Sequence, residues 1–340
     1  MTASATPRLL RPRALAPGDL VVIAALSGPL PAAYEPNVER TVAVLERMGF
    51  RVRRSPLLAA GRHHWWSAAA PAEIAAELNA LLRDPEVRAI VASDGGQTVL
   101  GYLDLIDVEA VRADPKPILG YSDISLLHLV LHARTGLVGF HADMAVPGFG
   151  GSWPCAPVAR QAQLEELYAG LLTGTGVIGA LPAGESWECW RPGRAEGPLI
   201  GGVINRIVLA QATPFALPLE RFDGAVLFWE EMGGLASHVW SYLQVLRHSG
   251  VLDRIAGMVV GVPREIGGLE PDASPTLREI VLDVLGERDI PVLGNVDFGH
   301  AGPNLPMPVG IRAGLDAQRR TLALLEPAVD PRPADRAALN

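Results

Sequence analysis

Cysteine and lysine are almost missing from this chain, and aromatic residues are few. The two cysteines, Cys155 and Cys189, are too few for a disulfide framework and lie in no C-x-x-C pair, so disulfide-stapled, zinc-ribbon and dithiol readings have little support. Whether the two pair is open from the sequence. The single lysine is Lys116, and every other basic side chain is arginine. We read this, with the many Ala and Pro, as a coding bias. Positive charge is also in deficit, with Lys+Arg 29 against Asp+Glu 37 and a formal net charge of -8. A polymeric nucleic-acid partner is therefore not expected. No apolar run is long enough to span a bilayer, and residues 1–19 lack the apolar core of a secretory signal. The expectation is a cytoplasmic protein with no membrane partner. What is plentiful is apolar side chain, 49% of 340 residues, enough for a large core and two domains.

The first half alternates strand-like and helix-like segments. Residues 20–26 (LVVIAAL) and 87–93 (VRAIVAS) are continuous apolar runs suited to strands buried on both faces, and 51–54, 117–120 and 138–141 are shorter candidates. Helical spacing marks 36–48, 71–82 and 124–134. Such alternation implies parallel pairing through right-handed crossovers. Residues 147–157, rich in Gly, Pro and Trp, read as loop, 159–172 as helix, and 181–197 as an irregular connection. The second half offers strands at 224–229, 256–262, 291–296 and 321–325 and helices at 237–248 and 276–285.

Four short constellations could carry chemistry. In Gly120-Tyr121-Ser122-Asp123 a strand runs into a serine and then a helix, which resembles a nucleophile elbow with its second glycine replaced by Ile124; Ser122 or Asp123 could equally be a helix cap. Asp94-Gly95-Gly96 follows a strand at the same sheet edge, as an oxyanion loop or an ordinary turn. No dinucleotide or P-loop glycine pattern is present. Phe228-Trp229-Glu230-Glu231 ends a strand with two acids, which could orient a histidine or simply face solvent. Phe298-Gly299-His300-Ala301-Gly302-Pro303-Asn304 sets one histidine in a Gly/Pro loop, as a base or a surface residue. His128 and His132 have metal-ligand spacing but no third partner. His63-His64-Trp65-Trp66 and the pair Trp187 and Trp190 could line a pocket or cover core.

Taken together these blocks resemble the S66 serine peptidases, the family of LD-carboxypeptidases and microcin C self-immunity proteins, over residues 15–325. The resemblance rests on Leu15-Ala16-Pro17-Gly18-Asp19, Asp94-Gly95-Gly96, Leu103-Asp104, Asp114-Pro115-Lys116-Pro117 running to Gly120-Tyr121-Ser122-Asp123-Ile124-Ser125, Gly197-Pro198-Leu199-Ile200-Gly201-Gly202, Glu230-Glu231 and the His300 loop.

The resemblance implies Ser122 as nucleophile, His300 as general base and Glu230 as the triad acid, Glu231 being the second choice. It puts the oxyanion hole at the N–H groups of Gly96 and Asp123. It implies an N-terminal parallel-sheet α/β domain of flavodoxin-like type (residues 1–150), a connecting segment (151–197) and a C-terminal β-rich α/β domain (198–340). The implied reaction needs no metal and no cofactor, and a homodimer is expected. Several positions depart from the family pattern: Phe140-His141-Ala142-Asp143-Met144, Gln97-Thr98, Val203 after the double glycine, and the helix after Glu231. They bear on substrate more than on chemistry. The implied reaction is removal of a terminal D-amino acid from a murein tetrapeptide in peptidoglycan recycling. One alternative is hydrolysis of an aminoacyl-nucleotide amide, with Trp187 and Trp190 stacking on the base. Another is a non-catalytic binding protein on the same fold.

Overall fold

The structure is a computed structural model and describes residues 8–269 and 275–332. The start of the N-terminal stretch read for a signal, residues 1–7, and the outer bounds of the two expected domains lie outside them. Among the described residues no helix is long and apolar enough to cross a membrane.

The first half supplies β1 (Leu20–Ala24), β2 (Arg51–Arg54), β3 (Val87–Ala92), β4 (Ile118–Gly120) and β5 (Gly139–His141). They pair parallel in the order 2-1-3-4-5, the doubly wound order of flavodoxin-like sheets. β1 and β3 are buried at every position, which is why they read as unbroken apolar runs. The crossovers are α1 (Glu35–Arg47), α2 (Pro71–Arg83), α3 (Val108–Ala113) and α4 (Ile124–Thr135). α1 buries Val38, Thr41, Val44 and Leu45, one stripe at helical spacing. α4 is buried nearly all round and stops at Gly136, whose φ of +79° closes the last turn. The six-residue α3 had no clear periodic signal.

Residues 147–157 are not open loop. All but Ala156 and Pro157 lie in a wide helical turn over Ala145–Ser152 and a tight one over Trp153–Cys155. The glycines permit it, since a Cβ on Gly150 would lie 1.9 Å from the Asn37 carbonyl oxygen of α1. The helix expected next is α5 (Val158–Thr173).

The second sheet is mixed. Its strands include β6 (Gly179–Ala180), β7 (Glu188–Arg191), β8 (Arg194–Val203), β9 (Val226–Glu230), β10 (Gly257–Gly261) and β11 (Val292–Val296). Next in the chain come β12 (Met307–Val309), β13 (Arg312–Asp316) and β14 (Thr321–Leu324). The order is 6-14-13-8-9-10-11-7, with β12 excluded. β8 changes partner midway: its first half pairs antiparallel with β13, its second half parallel with β9. The segment expected to be irregular thus contributes edge strand β7 and the start of β8. Helices α6 (Ile204–Gln211), α7 (Ala236–His248) and α8 (Leu277–Leu285) follow in this half, and α6, at eight residues, is too short to show a period in the sequence. β12 crosses over and pairs antiparallel with β5, so the first sheet takes its edge strand from the second half of the chain. The chain end returns as well, through hydrogen bonds from Ala14 N–H to the Asp330 carbonyl and from Asp330 N–H to the Pro12 carbonyl, each 2.7 Å.

The single lysine is a core residue. Lys116 is fully buried, and its ammonium donates to the carbonyls of Leu81, Leu82 and Asp84 at the C-terminus of α2, with Asp114 at 3.3 Å. A cation there satisfies orphan carbonyls and complements the helix dipole. Lys116→Met is expected to lose about 2–4 kcal/mol of stability, because those carbonyls stay buried without a donor. Urea unfolding checks this, and an unchanged midpoint would remove the role.

Candidate active site

Strand β4 ends at Gly120, Tyr121 follows, and α4 begins at Ile124. Ser122 occupies the turn with φ +58°, a left-handed conformation costly for a residue with a Cβ. Neither capping role applies. Asp123 stands at the N-cap but makes no side-chain cap bond to its own helix. Its buried Oδ2 instead accepts from Ser27 Oγ (2.6 Å), Thr98 N–H (2.6 Å) and Val99 N–H (2.9 Å), tying the serine turn to the loop after β3. That leaves the Asp123 N–H, at the helix start, without an intramolecular acceptor among the described residues.

The loop after β3 runs against this turn. A Cβ on Gly95 would lie 2.5 Å from Ser122 Oγ, and one on Gly96, where φ is +152°, would lie 2.5 Å from Ser27 Oγ. The Gly95 carbonyl accepts from Gly28 N–H at 2.8 Å. Because the peptide is planar and trans, the Gly96 N–H then points the opposite way, and it too has no intramolecular acceptor among the described residues. Asp94 caps Gly95 N–H at 2.7 Å, and burial pushes its carboxyl above the usual range.

The second half contributes an acid and an imidazole. Glu230, at the end of β9, is fully buried. Its Oε2 accepts from His300 Nδ1 at 2.8 Å and from His300 N–H at 3.3 Å. In the neutral ring a proton on Nδ1 satisfies this bond and leaves Nε2 free to accept. Burial pulls the imidazole pKa down, but the Glu230 carboxylate overcomes it, helped by Glu231, and His300 is held above the ordinary histidine value. Gly299 is required beside it, since its φ is +102° and a Cβ would lie 2.5 Å from Glu230 Cγ. Glu231 faces elsewhere, accepting from Met232 N–H (3.0 Å) and Asn205 Nδ2 (2.9 Å), and burial raises its pKa to about 7.

Ser122 and His300 line one cavity of about 560 Å³ with Asp94, Gly95, Gly96, Tyr121 and Arg264. Tyr121 meets the imidazole edge-on at 5.0 Å. The His300 loop is fixed from the first half. Buried Asp143 accepts from Asn304 N–H (2.9 Å), Asn304 Nδ2 (2.7 Å) and Trp153 Nε1 (2.6 Å), and burial raises its pKa to about 6. Asp143, singled out above only as a departure, is thus an anchor of that loop.

Trp187 and Trp190 are not in this cavity. They are 1% and 4% exposed, so neither offers a free face to a base. β7 pairs with β11, and the Trp190 ring lies over Gly294, where a Cβ would come within 2.0 Å of it. The stacking expectation for both is corrected to a packing role. Trp66 from the His63–Trp66 cluster (60% exposed) and Tyr34 (46%) line the cavity instead. His128 and His132 each bond a different carbonyl, Gly120 and Leu137, and burial lowers both to about 4, so they pack as neutral rings. No cluster of three or more metal-ligating side chains exists among the described residues. Cys155 and Cys189 are both free. Arg206, Asn205 and Arg264 had no motif to mark them.

Two family models match: the LD-carboxypeptidase N-terminal domain over residues 21–142 and the LD-carboxypeptidase C-terminal domain over residues 196–315. A Streptomyces coelicolor protein that carries a carboxypeptidase name, SCO6489, is 33% identical over 94% of this chain and 98% of its own. The microcin C7 self-immunity protein MccF of Escherichia coli is 26% identical over 96% of this chain and 98% of its own. Among solved structures, MccF in complex with aspartyl sulfamoyl adenosine superposes with a TM-score of 0.83 at 24% identity, covering 94% of this chain and all of that one. The muramoyltetrapeptide carboxypeptidase from Oxalobacter formigenes gives 0.73 at 21%, covering 91% and 99%. These two likenesses establish the two-domain α/β fold. With both halves matched, the chain belongs to the S66 peptidases, a family of serine peptidases.

Proposed function

We propose that this chain hydrolyses a peptide or amide bond by acyl transfer from a Ser122–His300–Glu230 triad. The observation that carries this reading is the buried Glu230–His300 pair opening into the same cavity as a serine on a left-handed turn. His300 Nε2 takes the Ser122 proton as the hydroxyl attacks the carbonyl. Glu230 holds the tautomer and stabilises the imidazolium. The N–H groups of Gly96 and Asp123 receive the oxyanion, each donor being worth about 3 kcal/mol in the transition state. The imidazolium then protonates the leaving amine, and water resolves the acyl-enzyme. We assign the reaction to release of a terminal D-amino acid from a murein tetrapeptide in the cytoplasm, by a homodimer. A monomeric mass in solution would remove the dimer.

A second substrate reading, an aminoacyl-nucleotide amide, draws on the exposed rings of Trp66 and Tyr34 at the cavity wall, where a base could stack. The deciding experiment incubates the protein with a murein tetrapeptide and with an aminoacyl sulfamoyl-adenosine and follows released D-alanine and free amino acid. D-Alanine release supports the first reading, and free amino acid from the nucleoside supports the second. Turnover of neither sinks the hydrolase assignment for both substrate classes.

The pH dependence follows from the sign at His300. Only neutral imidazole accepts the serine proton, so kcat/KM is full above the His300 pKa and lost as pH falls through it. With that pKa raised, the acidic limb is expected to have its midpoint above the ordinary value of about 6.5. Glu230→Gln should move the limb to lower pH while lowering the plateau. A limb that stays in place would mean another group is titrating.

A further inference from the structure

Gly95 and Gly96 form a loop with little stiffness of its own, since the φ of +152° at Gly96 is open to glycine and the chain there has wide freedom. A donor that must stay aimed cannot rest on such a loop unless the loop is held from outside. The Gly95–Gly96 peptide is held within its own domain by Gly28. The next peptide is held from the other domain. Arg206, in the first turn of α6, reaches across the interface, and its Nη2 donates to the Gly96 carbonyl at 3.1 Å and to Gln97 Oε1 at 2.7 Å. Its Nε lies 2.9 Å from Asp123 Oδ1, and both side chains are buried. Nη1 donates to the side chain of Asn205, which in turn donates to Glu231, the neighbour of Glu230.

One planar cation therefore touches the loop carrying the Gly96 N–H and the residue carrying the Asp123 N–H. We propose that Arg206 is a positioning residue for the oxyanion hole, fixing these two donors relative to each other across the domain boundary. The guanidinium suits this task, because its separate donors can hold the loop while its charge rests against Asp123, a span that a single ammonium cannot cover. Arg206 touches no reacting atom in this scheme. Its effect runs through the direction of two peptide groups, and the inference rests on the hydrolase reading above.

The test uses the full chain and whichever of the two substrates the wild type turns over. Arg206→Ala is expected to lower kcat by about 10²- to 10³-fold, as loss of an oxyanion donor does, with KM changed by less than about threefold. Millimolar guanidinium chloride, far below denaturing concentration, should restore at least about tenfold of that loss by filling the vacated space. Arg206→Lys keeps the charge beside Asp123 and secures folding, yet cannot span all four acceptors, so its kcat should still fall by about tenfold or more. Unchanged kcat in Arg206→Lys would overturn the assignment. So would a loss in Arg206→Ala that follows the unfolded fraction in a thermal melt and ignores guanidinium, the behaviour of a plain interdomain brace. A wild type inert to both substrates would instead sink the hydrolase reading, and this assignment with it.

Discussion

Ser122→Ala is expected to lower kcat by about 10⁴- to 10⁶-fold while the protein stays folded, the range seen when a triad nucleophile is removed and the rest of the site remains. The side chain is partly exposed in the cavity and makes no hydrogen bond that the fold depends on, while its backbone carbonyl still accepts from Ser125 N–H at 3.1 Å. Alanine keeps the Cβ, so the left-handed turn is neither relieved nor worsened. His300→Ala should reach the same floor, and the double variant should fall no further, because the two groups act as one unit. Steady-state kinetics with a melting curve for each variant checks this. Substantial activity in Ser122→Ala would remove the mechanism.

Gly299→Ala is expected to cost nearly as much without touching any reacting group. The added methyl would sit 2.5 Å from Glu230 Cγ and 2.6 Å from its Oε2, at a φ of +102° that alanine resists. Glu230 is fully buried at the end of a strand and cannot step aside cheaply. The carboxylate must turn from the imidazole or the loop must lift. Either way His300 loses the partner that fixes its tautomer, and kcat should fall by about 10³- to 10⁴-fold. The acidic limb should drop to lower pH in the same variant, since the raised His300 pKa depends on that carboxylate. A Gly299→Ala enzyme with wild-type rate and limb would show that Glu230 does not orient His300.

The elements that the sequence announced were those whose burial follows one rule. β1 and β3 are covered on both faces and read as apolar runs, and α1 buries a single stripe. Turn chemistry and strand ends marked Ser122, the Glu230–Glu231 pair and His300 as candidates, each with a bland alternative, and it was the resemblance of the ordered blocks that singled out Ser122, Glu230 and His300. What stayed hidden depends on distant partners. α6 is too short to show a period, and Arg206 matters only because Asp123 and Gly96 lie opposite it. Trp187 and Trp190 misled because an aromatic side chain in a Gly/Pro-rich stretch looks the same whether a sheet edge or a ligand covers it. Only the pairing of β7 with β11 tells the two apart.

The crossing of β12 sets a mechanical limit on the whole molecule. The stretch that carries the imidazole leaves one sheet at Val296 and joins the other at Met307, so it is moored at both ends to different walls of the cleft. A wide jaw-like opening that outran the slack of residues 297–306 would either strip β12 from β5 or draw the base away from its acid. The exposed side chains of Trp66 and Met232 stand at the rim of the cavity, outside this doubly moored stretch.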